Sequence, residues 1–125
     1  MELISYIIII LKVIVGISIL NVWLIQPKKA TKWRGGDAKT IIEEFKVYCL
    51  SETMAYVVGF FKVSFAIMLL ASIKFENLDL IASLGLAALL LGSVFMHIKI
   101  KDPLHKSFPA SLFIVMSLLI AYAAI

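Results

Sequence analysis

The sequence predicts an all-α fold: an integral membrane four-transmembrane-helix bundle with a short amphipathic interfacial helix in the first loop. Three observations carry this expectation. The chain of 125 residues is 62% hydrophobic and only 16% charged, with a mean hydropathy of +1.05, against roughly 45–50% and about 25% in ordinary soluble domains. Its apolar residues fall in four long runs, each about 18–23 residues, enough for a helix to cross a hydrocarbon core of roughly 30 Å. Its polar residues concentrate in one stretch, Lys28 to Ser51, reading KKATKWRGGDAKTIIEEFKVYCLS. A soluble fold would lack the polar surface to cover such runs, whereas lipid itself solvates the outer faces of a membrane bundle.

The spans are expected at residues 3–25, 53–73, 78–98 and 108–125, within a single membrane domain over 1–125. Pro27 closes the first. Ser51 and Ser107 are side-chain caps for the second and fourth, with Pro109 tolerated in the fourth helix's first turn. Asp102-Pro103 forces a turn, because proline disfavours helical geometry in the residue before it. The start MELISY lacks a basic n-region, so no cleaved signal is expected. In the polar stretch, Ala38, Ile41, Ile42, Phe45 and Cys49 share one helical face, while Lys39, Thr40, Glu43, Glu44 and Lys46 take the other. An amphipathic helix over about 38–50, capped by Asp37 after Gly35-Gly36, therefore lies along the interface or tucks under the bundle.

Basic residues set the orientation. Lys28, Lys29, Lys32, Arg34, Lys39, Lys46, Lys99, Lys101 and Lys106 lie in or beside the first and third connections, and Lys74 alone in the second. The positive-inside rule puts the first and third connections in the cytoplasm and both termini outside, in the cell (inner) membrane. It also accounts for the net charge of +4 without nucleic acid, which is not an expected partner. Trp23 and Trp33 fit an aromatic belt at that edge. Cys49, the single cysteine, excludes an internal disulfide and a cysteine-built metal site, and reads as a half-buried small residue.

Small residues at helical spacing mark packing faces: Ala55, Gly59 and Ala66 with Lys62 on the second span, and Gly85, Ala88 and Gly92 on the third. Lys12 and Lys62 lie near mid-membrane, where a lysine costs on the order of 2.5–3.5 kcal/mol on insertion scales. The spans' central parts hold no acid as a mate; Lys12 is expected to snorkel outward and Lys62 to line a polar pocket. The other pocket candidates lie at the cytoplasmic ends: Asn21, Arg34, Glu43, Glu44, Tyr48 and His97, with Ser93 one turn from His97. Glu43 or Glu44 is expected near Arg34 or His97, with Lys62 deeper. No catalytic residue is assigned. His97 and His105 lack any metal-ligand spacing, so no metal is expected.

The order of NVWL, TKWRGGDAKTIIEEFKVYCLS, YVVGFFKVSFAIMLLASI, GLAALLLGSVFMHIKIKDP and KSFPASL resembles the DoxX family of small four-span membrane proteins. The telling pieces are EEF-x-x-Y, G-x-x-K in the second span and H-x-x-x-K-D-P after the third. Two positions depart from the family pattern. Tyr48-Cys49-Leu50-Ser51 stands where that pattern reads tyrosine–glycine–leucine–proline, and Lys62 where it often has glutamate. The resemblance implies a non-catalytic membrane subunit or accessory of a redox, quinone-linked system, with a membrane redox subunit or a second copy of the chain as partner. The residues leave an alternative: a small-anion, lipid or quinone binding or transport protein built around Lys62. No cofactor motif is evident, and quinone or lipid is the ligand class in view. An enzyme in its own right is disfavoured by the absence of haem, flavin or metal motifs.

Overall fold

In a computed structural model of the chain, residues 2–26, 28 and 33–125 are described, Glu2 by its backbone alone. Pro27, Lys29 and Lys32, used above for the first helix end and for orientation, lie outside the described residues. Among the described residues five α-helices follow one another: α1 Glu2–Leu20, α2 Ile41–Val47, α3 Glu52–Ala71, α4 Asp79–Lys99 and α5 Phe108–Ala124. Of the helical segments described, four are long and apolar enough to cross a membrane: Leu3–Ile25, Glu52–Ala71, Glu76–Lys99 and Leu104–Ala124. Among the described residues there is no strand. The spans form a ring in which α1 and α4 each touch both α3 and α5. Their outer faces carry a continuous coat of exposed Leu, Ile, Val and Phe, which lipid solvates.

One half of the bundle is solid. Val15, Ile19, Ala66, Leu69, Ala82, Leu86, Leu90 and Ile120 meet there as one buried cluster. Glycines set how closely the helices approach: a Cβ on Gly16 would stand 2.7 Å from Leu70, and one on Gly85 2.7 Å from Phe65. Without a hydrophobic force between helices in lipid, such close backbone approach is what gives them contact. The stripe expected on α3 is buried as read, with Ala55, Gly59, Lys62 and Ala66 all inside. On α4 the expected stripe divides: Gly85 packs against Phe65, whereas Ala88 and Gly92 pack against no helix and line an open cavity, and the buried residues of α4 include Ala82, Ser83, Leu86, Ala87 and Leu90.

Lys12 does not snorkel into water. Its ammonium lies 2.7 Å from Asp79 Oδ1 and donates to the Ser72 carbonyl at 3.2 Å, with the residue only 3% exposed. Asp79 opens α4 and Ser72 closes α3, so the cation meets the negative end of one helix and an acid on the positive end of the next. The sequence reading gave Lys12 no mate because Asp79 reads as part of a connection.

The first span ends in a wider turn. Residues Asn21–Ile25 wind as a π-helix, sealed by Gln26 N–H donating to the Asn21 carbonyl at 2.8 Å. This turn presents Trp23 to α3, where Gly59 makes room: a Cβ there would stand 2.6 Å from the indole. Trp23 is therefore half-buried beneath Phe45, its ring centroid 6.0 Å away, rather than part of an outward belt.

α2 is shorter than expected. Its cap is Thr40, not Asp37; the Thr40 hydroxyl accepts from Glu43 N at 3.1 Å, while Glu43 Oε2 accepts from Lys39 N at 3.0 Å. These local bonds start the helix at Ile41 rather than Ala38. It ends at Tyr48 because Cys49 turns left-handed, φ 65°. Leu50 N then donates to the Phe45 carbonyl and Cys49 N to that of Lys46, a Schellman closure. Cys49 is thereby turned outward and exposed, a second correction, and Ile41, Phe45 and Tyr48 form the buried face. Ser51 caps α3 as read, accepting from Met54 N at 3.1 Å. Ser107 does not cap α5, because a 3-10 turn over Leu104–Ser107 already feeds the helix. Left-handed geometry costs an ordinary residue roughly 1–2 kcal/mol and a glycine almost nothing. Cys49→Gly is accordingly expected to stabilise the fold by about 1 kcal/mol, and an unchanged or lower thermal midpoint in detergent would contradict this turn geometry.

Candidate functional site: a cavity at the basic end

The other half of the bundle is hollow. A cavity of about 640 Å3 opens among all four spans, the loop carrying Trp33 and Arg34, and α2 as a side wall. That volume falls in the range of small-molecule sites, roughly 300–1,000 Å3. Apolar side chains, among them Ile41, Phe45, Val58, Leu90 and Phe113, form most of its wall.

Of the residues singled out in the sequence, Asn21, Arg34, Glu44, Tyr48, Lys62 and His97 all line this cavity. Glu43 does not: it is exposed and is occupied with the Lys39 backbone. Consecutive helical residues point about 100° apart, and starting α2 at Ile41 turns Glu44 inward and Glu43 outward.

Lys62 is 7% exposed. Its Nζ donates to Ser93 Oγ at 3.0 Å and stands 5.5 Å from the centre of the Trp23 ring, a cation–π arrangement. An ammonium has three donors, and neither of these contacts brings a negative charge.

Above Lys62 the mouth is a connected polar network. Asp102 Oδ2 lies 2.7 Å from His97 Nδ1, and both Asp102 oxygens accept from Gly36 N, at 3.1 and 3.3 Å. The carboxylate is thus an acceptor throughout, so His97 donates from Nδ1 and turns Nε2 toward the Tyr48 hydroxyl, 3.3 Å away. The charge of Glu44 also bears on that hydroxyl, and Glu44 Oε2 accepts from Gly35 N at 2.6 Å. Arg34 donates to the Gln26 carbonyl at 3.0 Å and interacts electrostatically with Glu44. Lys106 donates to the Gly36 carbonyl at 2.6 Å and lies 3.9 Å from Asp102. Lys99 donates to the Tyr48 carbonyl at 3.4 Å, tying α4 to the end of α2.

Asp102, Trp23 and Lys106 are the participants that sequence reasoning missed. Asp102 arrives by the same device that closes α2. Lys101 is left-handed, φ 60°, and Asp102 N donates to the His97 carbonyl while Lys101 N donates to that of Ile98. A Schellman closure brings the residue two beyond the cap back beside the last turn; with His97 at one place and Asp102 at the other, side chains five apart meet. The signal is H-x-x-x-K-D-P itself, since proline just after a helix end marks such a stop.

Burial lowers the Arg34 pKa from its ordinary 12.5, against the charges of Glu44 and Tyr48, which raise it; a guanidinium stays charged at neutral pH nonetheless. Burial first, and then the charge of Glu44, push the Tyr48 phenol well above its ordinary 10.0. A group raised in the folded state holds its proton after the unfolded chain has lost it. Stability from this source is present below about pH 10 and falls as pH rises further. Spectrophotometric titration should show one phenol in the folded protein still protonated beyond the ordinary range and absent in Tyr48→Phe. Identical curves per tyrosine in the two proteins would contradict it. Among the described residues no three His, Cys, Asp or Glu side chains come together as a metal site.

Four apolar helices around a cavity with one polar mouth define a small multi-pass membrane protein. The chain belongs to the DoxX-like family, whose model matches residues 32–120, from the first connection to the core of α5. No curated protein matches the chain, and no solved structure does.

Proposed function

We propose that this protein is a non-catalytic membrane binding protein that holds a chain-bearing, lipid-soluble ligand in the cavity, with the ligand's head group beside Lys62. The supporting observation is Lys62 itself, a buried ammonium facing a largely apolar cavity with a hydroxyl and an aromatic ring as its neighbours. Ionisable groups inside a membrane are expensive and by default functional. A head group bearing hydrogen-bond acceptors would satisfy the remaining donors, and its chain would fill the apolar part. Mass spectrometry of organic extracts tests this reading. A lipid or quinone should co-purify in stoichiometric amount with the wild type and be lost from Lys62→Met. Equal ligand content in both proteins would contradict it.

A second reading, an accessory subunit of a quinone-linked redox system, is favoured by the hydrogen-bonded line Tyr48–His97–Asp102 at the cavity mouth. Quinone reduction consumes protons, and such a line is suited to supplying them. Co-purification of a flavin- or haem-bearing partner supports this reading, and a colourless homo-oligomer opposes it. In either case the basic end faces the cytoplasm of a cell membrane and both termini face out. A reporter fused to the C-terminus that reads cytoplasmic would reverse the orientation.

A further inference from the structure

We infer that the ligand is a single-chain amphiphile with an anionic oxygen head group, a carboxylate or a phosphate, anchored on Lys62; this deepens the binding reading and rests on it. Among the described residues, the cavity wall carries three cations, Arg34, Lys62 and Lys106, and one acid, Glu44. Most of this charge is already engaged. Glu44 accepts from Gly35 N and its charge acts on Tyr48 and Arg34, and Lys106 serves Gly36 and Asp102. Lys62 is left with the neutral Ser93 hydroxyl and the face of Trp23, and Glu44 is the one acid whose charge acts on it appreciably. A buried charge without a close counter-ion is costly, and a hydrogen-bonded anion relieves that cost in a way that a neutral carbonyl does not.

The wall also shows where a chain would pass. Ala88 and Gly92 line the cavity yet are exposed, and a Cβ on Gly92 would meet nothing within 4 Å. Small residues thus leave open space in the cavity on this side, at the level of Ser93 and its bond to Lys62. An acyl chain can lie along that space while its head group stays on the ammonium. A large side chain at position 92 would start in that open space and compete with the chain for it.

The test uses the full-length protein, delipidated in neutral detergent, with quenching of tryptophan emission as readout, since Trp23 adjoins Lys62. The probes are dibromostearate, a brominated single-chain lysophosphatidate, the neutral glycerol monoester of dibromostearate, and a decyl-substituted benzoquinone. One or both anionic probes should bind at least tenfold more tightly than either neutral probe. A response to only one of them identifies the head group as carboxylate or phosphate. Lys62→Met should lose at least tenfold in that affinity while Lys62→Arg retains it, and Gly92→Phe should lose it with Lys62 intact. Neutral probes binding as tightly as the anions would overturn the anionic assignment and leave the cavity reading standing. Undiminished binding to Lys62→Met would overturn the anchor. Binding of no probe would overturn both readings.

Discussion

Replacing Lys12 alone with methionine is expected to destabilise the folded bundle by about 3–5 kcal/mol, as is replacing Asp79 alone with leucine, whereas the double variant should recover most of that loss. The ammonium and carboxylate stand 2.7 Å apart, both largely withdrawn from solvent, and the ammonium also serves the carbonyl of Ser72, the residue that caps α3. Each single substitution leaves one charge buried without its partner; the double leaves two apolar side chains where lipid and core are apolar already. The interaction energy of the double-mutant cycle, from thermal unfolding in detergent, isolates the pair. Additive losses, with the double variant weakest of all, would show that the two residues act independently.

The second large effect is expected at Asp102. Its carboxylate receives His97 Nδ1 at 2.7 Å and Gly36 N at 3.1 Å, and hydrogen bonds to charged groups are worth roughly 1.5–3 kcal/mol each. Asp102→Ala should therefore cost about 3–5 kcal/mol locally and release the loop carrying Arg34 from the turn before α5. Amide exchange at Gly35 and Gly36 should accelerate strongly while the mid-span amides of α3 and α4 stay protected. Asn at 102 keeps the shape without the charge and should fall between. Unchanged protection at Gly36 in Asp102→Ala would mean that this carboxylate does not hold the loop.

The spans were legible because lipid imposes one rule along a whole helix: every turn must be apolar on its outer face, and hydropathy reports that directly. The Lys62 face was legible for the same reason, since Ala55, Gly59 and Ala66 recur at helical spacing. What escaped was contact set by chain ends. Asp79 and Lys12 are far apart in sequence and meet only because α3 and α4 are joined by a tight connection beside α1. Asp102 meets His97 through a left-handed residue, Lys101, that no periodicity announces. Tyr48 and Glu44 line the cavity while Glu43 faces away from it, because the seven-residue helix buries the face of Ile41 and Phe45, a phase that a helix running on from Asp37 does not define. Trp23 was read as an interfacial anchor because the sequence gives no sign of the π turn that swings it onto Gly59.

The position of Lys62 gives these features their common meaning: the hollow half of the bundle, the polar mouth and the open space beside Gly92 all surround its ammonium. The most direct measurement is an experimental density map of the protein purified in mild detergent without delipidation. Elongated density should fill the cavity from the Lys62 ammonium toward Gly92, with its broader end within hydrogen-bonding distance of Lys62. An empty or water-filled cavity in the wild type, or density that persists in the same place in Lys62→Met, would contradict the account.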